Sequence, residues 1–353
     1  MNWQIYRLDA VFGLETIKEF LPRYYNILNG NKIPLFQLAK RYEVDFNENE
    51  SLEELMKIHN EEIKDFFKNL ENIGNKGAEK SLLDLKILIA EKIVESCEFC
   101  EIKCKVNRKE RAGYCGVSYY PRISSMFMHL GEESWITPSF TIFFAGCNFR
   151  CVFCQNFDIS QNSKNGIYIK EEIVAKEIDL AFLEGNRNVN FVGGEPTPNL
   201  HYILKVLKHV NSNIPVVWNS NAYESEIAIN LLAGIVDVYL YDIKYGNNEC
   251  AKRLSKVRNY FEIATRNIKF ANNFSELSLR HLVLPNHIEC CSLKIIDWIK
   301  DNLKEKYVLN IMNQYRPEYK AKEYPEINRR ILEEEYEKVL RYAKEKGIIF
   351  FEQ

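Results

Sequence analysis

The sequence predicts an α/β fold: a partial, open (βα)6 barrel carrying an N-terminal helical extension. Three observations predict it. From about residue 138 onward, six short apolar runs alternate with amphipathic helical stretches, the pattern of parallel strands joined by right-handed crossovers. The runs are continuously apolar, as strands covered on both faces must be. Polar residues suited to chemistry gather where those runs end, which is where ligands bind in open sheets and barrels of this type.

The elements follow in order. Residues 1–95 read as the helical extension, with apolar residues at helical spacing in LEELMKIHNEEIKDFFKNL (52–70) and SLLDLKILIAEKIVE (81–95) and a glycine-bearing loop between them. Residues 96–135, rich in Cys, Gly, Arg and Tyr, read as a loop-dominated cysteine-rich segment. Residues 136–320 form the core domain. Its strands are FTIFFAG (140–146), NVNFVGG (188–194), PVVWNSN (215–221), VDVYLYDIK (236–244), LSLRHLVLP (277–285) and YVLNIMNQY (307–315). Helices are expected at 170–184, 199–211, 224–233, roughly 248–273, and 291–304. Residues 321–353 supply a long amphipathic helix over about 326–346 and the closing tail IIFFEQ.

Composition narrows the function. The 353 residues carry a formal net charge of −2, which gives no global pull toward nucleic acid or anionic membranes. No apolar run approaches the about 18 residues of a membrane span, and MNWQIYRLDAVFGLE has no basic-then-apolar secretion signal, so a cytoplasmic location is expected. The 20 Tyr and 21 Phe lie mostly in apolar strand and helix runs, which favours core packing over base stacking. No phosphate-binding G-x-x-x-x-G-K-[ST] loop and no H-E-x-x-H helix occurs.

Ten cysteines are the feature to explain. In a reducing compartment, clustered cysteines are more often metal ligands than disulfides. Cys147, Cys151 and Cys154, in GCNFRCVFCQN, are spaced C-x3-C-x2-C and directly follow the first strand. Three thiolates can hold three irons of a cubane cluster and leave the fourth iron open to a ligand, where a structural site would be closed by a fourth donor. A structural zinc site completed from elsewhere in the chain is the competing reading. Cys97, Cys100, Cys104 and Cys115 form a second group, C-x2-C-x3-C-x10-C, enough for a structural zinc or a second iron–sulfur cluster, or else buried thiols. Cys250, Cys290 and Cys291 stand apart and read as small buried hydrophobes. His129 reads as a local hydrogen-bonding residue, and NRKERAG (107–113) as a solvated basic loop or a contact for a polypeptide or nucleic acid.

The first group, with Phe153 before its last cysteine and a βα series around it, resembles the radical S-adenosylmethionine (SAM) superfamily. The resemblance implies a [4Fe–4S] cluster held by the three cysteines, SAM chelating the free iron, and reductive cleavage to an adenosyl radical that abstracts hydrogen. Gly193-Gly194-Glu195-Pro196 looks like the family's GGEP segment, with glycines admitting the ligand and the acid accepting from SAM's amino group. Asn219 and Ser220 match a polar strand end toward ribose or carboxylate. Asp242 and Lys244 resemble the D-x-K of glycyl-radical activating enzymes, and Arg280 the arginine that pairs with SAM's carboxylate. Over residues 95–320 the chain is most similar to activating enzymes of pyruvate formate-lyase type, through CQN after the cluster motif and RHLVLP at the fifth strand. That resemblance implies a polypeptide substrate, an electron donor of ferredoxin or flavodoxin type, and no membrane. A small molecule or RNA as substrate, or a non-catalytic iron–sulfur or zinc protein, are the alternatives. Failure to bind SAM would single out the last.

Overall fold

A computed structural model describes residues 16–303 and 307–352; the N-terminal stretch read above for a secretion signal lies outside them. Its centre is one eight-stranded sheet in sequential order: β1 (Ile123–His129), β2 (Ser139–Phe144), β3 (Asn188–Gly193), β4 (Val216–Ser220), β5 (Val238–Asp242), β6 (Glu276–Leu282), β7 (Tyr307–Met312) and β8 (Phe351–Glu352). All neighbours from β2 to β8 pair in parallel. Strands β2 to β7 are the six predicted ones, and the partial (βα)6 barrel is the fold.

The two edges differ from expectation. The cysteine-rich segment is not wholly loop: ISSMFMH pairs antiparallel to β2 as β1, with a register irregularity between Ile123 and Ser125. Its Ser, Met and His residues carry little strand preference, so only the pairing with β2 reveals it. At the other edge two residues of the tail join β7.

The crossover helices are α5 (Glu171–Leu183), α6 (Leu200–His209), α7 (Glu226–Leu232), α8 (Asn248–Ser255), α9 (Tyr260–Phe274) and α10 (Leu293–Asn302), with α11 (Glu333–Glu345) preceding β8. The single helix expected over 248–273 is two. Lys256 and Asn259 both take left-handed backbone, φ 60° and 50°, which ends α8 and starts α9. The last helix begins at Glu333 rather than near 326, because the preceding residues form a 3-10 turn at Pro325–Ile327.

The N-terminal extension does two jobs. Helices α3 (Leu52–Lys68) and α4 (Leu82–Val94) open on capping boxes, Ser51 with Glu54 and Ser81 with Asp84, and bury their apolar faces along the barrel wall. Asp84 also binds Lys208 of α6 at 2.6 Å. Helix α1 (Pro22–Leu28) instead closes the amino ends of the strands. Ile17, Leu21 and Tyr24 pack with Trp135, Val217, Leu240 and Val308 in the barrel interior, and the Tyr24 hydroxyl accepts from Asn188 at 2.7 Å. The start of α1 is held by Glu276, whose carboxylate accepts the Arg23 and Tyr24 N–H groups at 2.5 and 2.8 Å. Asp237 likewise accepts from Leu35 and Val216 N–H, at 3.0 and 2.9 Å.

Burial pushes Glu276 up to about 7 and Asp237 up to about 6, outweighing those donors. The folded protein thus binds these protons more tightly than the unfolded chain. The stability they confer is full below about pH 4 and is lost as pH rises through 6 and 7. For Glu276 the difference amounts to about 3 kcal/mol across that range. Urea denaturation from pH 4 to 8 is expected to show a shallower decline for Glu276→Gln than for the parent; parallel curves would remove this linkage.

Candidate functional site

The carboxyl ends of the strands surround a cavity of about 620 Å3. It is lined by Cys147, Cys151, Phe153 and Cys154 from the loop after β2, by Gly193, Gly194 and Glu195 after β3, and by Asn219 and Ser220 from β4. Asp242 and Lys244 after β5, Arg280 of β6 and Gln314 after β7 complete the wall. Every residue singled out from the first cysteine motif and its downstream segments therefore faces one space.

The three thiols are placed by short local contacts. Cys147 sulfur accepts the Phe149 N–H at 3.3 Å, Cys151 sulfur lies 3.0 Å from the Ser255 hydroxyl, and Cys154 sulfur 3.1 Å from the Ser160 hydroxyl. Burial pushes the Cys147 thiol well up and the Cys151 thiol up to about 11. Bare thiolates are thus disfavoured at Cys147 and Cys151, and a bound cation would displace those two protons. Among the described residues no fourth cysteine lines the cavity. Three sulfurs with a hydrogen-bond donor each and no fourth thiol fit a cubane cluster with one open iron. Asn148 accepts from Asn221 at 2.7 Å, while Asn221 Oδ1 is buried without a hydrogen-bond partner. Phe153 packs edge-on against Tyr315 and screens the loop.

Glu195 is fully enclosed. Its carboxyl contacts the Thr197 and Ser220 hydroxyls at 2.6 and 2.7 Å and accepts the Asn221 N–H at 3.1 Å. The Ser220 oxygen also lies 2.8 Å from Glu224, which accepts from Trp218 Nε1 at 2.9 Å. One serine hydroxyl has one proton to give, so its second carboxyl contact requires a protonated acid. Burial first, and the neighbouring carboxylate second, raise the Glu195 carboxyl, which matches one proton held between Glu195 and Glu224. A cation entering the cavity would favour the ionised pair. Glu224 carried no sequence signal, since nothing in NAYESE marks it apart from a surface acid.

Both glycines line the cavity, and each also lets β3 lie close to neighbouring backbone. A Cβ on Gly193, where φ is +124°, would lie 2.2 Å from Phe144 backbone atoms, and one on Gly194 would lie 2.1 Å from Gly146 O. Gly193 thus lets β3 close against the end of β2, and Gly194 lets it close against the cysteine loop, which helps set where the thiols stand.

Lys244 binds Asp242 at 2.5 Å, and the Tyr260 hydroxyl bridges the turn by accepting from Lys244 N–H and donating to Asp242 O, both at 2.9 Å. Arg280 donates to Glu133 at 2.6 Å and also binds Glu132. Nε and Nη2 are therefore bonded to these two carboxylates, while Arg280 still lines the cavity. Burial would raise Glu133, but Arg280 and the Asn310 amide outweigh it and hold the carboxyl down. Glu132 and Glu133 were missed because they stand 148 and 147 residues before Arg280 in sequence. His129 accepts the Gly131 N–H at 2.9 Å and serves its own turn.

The second cysteine group lies behind the first, but no three of its sulfurs stand within 4.8 Å of one another. Cys104 sulfur lies 4.0 Å from the Cys97 carbonyl oxygen, and a Cβ on Gly113 would sit 3.2 and 3.6 Å from the Cys104 and Cys115 sulfurs. Cys100 reaches the Asn148 side chain, and the Cys147 N–H donates to Cys115 O at 3.2 Å. Arg108, which the basic stretch suggested was solvated, is buried, donating to Val117, Pro198 and Ser118 carbonyls with Nη1 3.8 Å from Cys97 sulfur.

A sequence profile described as the radical SAM superfamily matches residues 141–299. An uncharacterized protein of Methanocaldococcus jannaschii, MJ0674, is 48% identical over 332 residues, covering 92% of this chain and 97% of that protein. A second protein of that organism, MJ1227, provisionally named a glycyl-radical enzyme activating enzyme, is 26% identical over 30% of this chain and 43% of its own. The crystal structure of Streptococcus suis SuiB bound to precursor peptide SuiA superposes with a TM-score of 0.48 at 14% identity, covering 83% of this chain. The chain spans 62% of that structure.

Proposed function

This chain belongs to the radical SAM superfamily, and from that membership we propose that it cleaves SAM reductively in the cavity at the carboxyl ends of its strands and abstracts hydrogen from a polypeptide, as in glycyl-radical enzyme activation. The observation that carries this reading is the convergence of three hydrogen-bonded thiols, with no fourth among the described lining residues, on a space lined by Glu195, Ser220, Asp242 and Lys244.

When bound, a [4Fe–4S] cluster supplies the single electron that splits SAM and so starts hydrogen abstraction. The protein's part is placement. Cys147, Cys151 and Cys154 hold the cluster, and Ser255, Ser160 and the Phe149 N–H orient their sulfurs. Glu195, ionised once an ammonium stands beside it, accepts from SAM's amino group. Asn219, Ser220, Asp242 and Lys244 supply the remaining polar wall, with Gly193 and Gly194 keeping it close to the cysteine loop. Phe153 excludes water from one side.

Two observations favour a polypeptide. MJ1227 carries the activating-enzyme name, and edge strand β1 beside the cavity leaves Phe127, Met128 and the following Leu130 exposed. We assign a second metal centre, an iron–sulfur cluster or zinc, to Cys97, Cys100, Cys104 and Cys115, and an external donor of ferredoxin or flavodoxin type. Ten free cysteines suit a reducing compartment such as the cytoplasm. No helix among the described residues is long and apolar enough to cross a membrane.

The test is anaerobic reconstitution, reduction and incubation with SAM. Formation of 5′-deoxyadenosine is expected, and deuterium carried into it from a labelled glycyl-radical-type polypeptide would identify the substrate class. An intact, reducible cluster that yields no 5′-deoxyadenosine overturns the reading.

A further inference from the structure

Cys250 and Cys290, read from the sequence as buried hydrophobes, are neither deeply buried nor isolated. Cys250 opens α8, and Cys290 lies in a π-turn, Ile288–Ser292, just before α10. The fold brings them together with His287: one donor atom from each of the three lies within 4.8 Å of the others. Among the described residues this is the one group of His, Cys or acidic side chains found so closely set.

The spacing is that of ligands around one ion. Two sulfurs bound tetrahedrally at the zinc–thiolate distance stand about 3.8 Å apart. Cys250 and Cys290 sulfurs are 3.9 Å apart, too far for a disulfide. Cys290 and Cys291 sulfurs are also 3.9 Å apart, so a further thiol stands beside Cys290, outside the closely set three.

The surroundings are built for ligation. His287 Nδ1 lies 2.8 Å from the Pro285 carbonyl, and only a protonated nitrogen can bond there. That fixes the tautomer with Nε2 carrying the lone pair, the arrangement metal-binding histidines use. Asn247 Nδ2 is placed 3.2 Å from Cys250 sulfur and 2.7 Å from the Cys290 carbonyl, tying the two loops together. A Cβ on Gly246 would stand 2.5 Å from Cys291 O, so the approach of these loops depends on that glycine. Asn286, at φ 61°, turns the chain so that His287 faces inward.

We propose that Cys250, His287 and Cys290 bind one divalent ion of the zinc class, with Cys291 or water in the fourth position. Thiolate and imidazole donors select zinc over the hard cations magnesium and calcium. Binding displaces the two thiol protons to solvent, and no electron is transferred. The ion joins the loop after β5 to the loop after β6, the two strands that carry Asp242 and Arg280. It is separate from the cavity cysteines, so it stands whether or not the chain cleaves SAM.

The test is metal analysis of full-length protein purified without air or chelators, alongside the Cys250→Ser/Cys290→Ser variant. One zinc equivalent per chain should be lost in the variant, with iron unchanged. Cobalt(II) added to chelator-stripped parent should give the sulfur-to-cobalt charge-transfer and tetrahedral d–d bands, and the variant should lose those attributable to this site. Should the variant fold poorly, alkylation of the parent decides: Cys250 and Cys290 should resist iodoacetamide until zinc is stripped. Unchanged zinc in a folded variant, loss of iron instead, or immediate alkylation of both thiols in the parent would overturn the proposal.

Discussion

Cys151→Ala removes about four irons per chain and reduces SAM cleavage to background, while the protein stays folded. The side chain is small, and alanine leaves only a minor void. The metal is what depends on it, because a two-thiol remnant cannot hold a cubane whose other ligand is SAM. Ser255→Ala separates ligation from its support. It keeps all three thiols but removes the hydroxyl 3.0 Å from Cys151 sulfur, and such a partner is worth about 10–100-fold in metal affinity or activity. Iron analysis and 5′-deoxyadenosine yield check both. A Cys151→Ala protein that still cleaves SAM would exclude this loop as the cluster site.

Gly194→Ala costs at least about 3 kcal/mol, a large share of the roughly 5–15 kcal/mol by which domains are stable. Its Cβ would sit 2.1 Å from Gly146 O and 2.9 Å from Ser160 Cα, both backbone atoms that cannot swing aside. Gly193→Ala adds an unfavourable φ to a 2.2 Å clash with Phe144. Both push the cysteine loop off the sheet, so cluster content should fall along with stability. Gly185→Ala is the control, since its Cβ meets nothing within 4 Å and only the left-handed φ of +89° is strained, at about 1–2 kcal/mol. Denaturation midpoints that rank Gly185→Ala level with Gly194→Ala would contradict the packing account.

The core strands were legible because each is a continuous apolar run ending in polar residues, and parallel pairing follows from the helices between them. The cavity wall was legible for the same reason: Glu195, Ser220 and Asp242 each stand one or two residues past a strand's apolar stretch. Edge strand β1 was not, since a mixed run of Ser, Met, Phe and His says little until β2 lies beside it. Nor was the α8–α9 break, which two left-handed residues make without a glycine or proline. Arg280 was visible but its partners were not, because Glu132 and Glu133 reach it across about 147 residues of chain. Cys250 and His287 meet by the same long-range folding, and spacing along the chain cannot disclose it.

The proposed cluster has one iron with no protein ligand, in the cavity that Glu195 lines. Electron paramagnetic resonance of the reduced, reconstituted protein, recorded before and after SAM is added, tests it most directly. Adding SAM should change the cluster signal, and Cys151→Ala should abolish that signal. Superimposable spectra with SAM present, or a fourth side chain found bound to that iron, would contradict it.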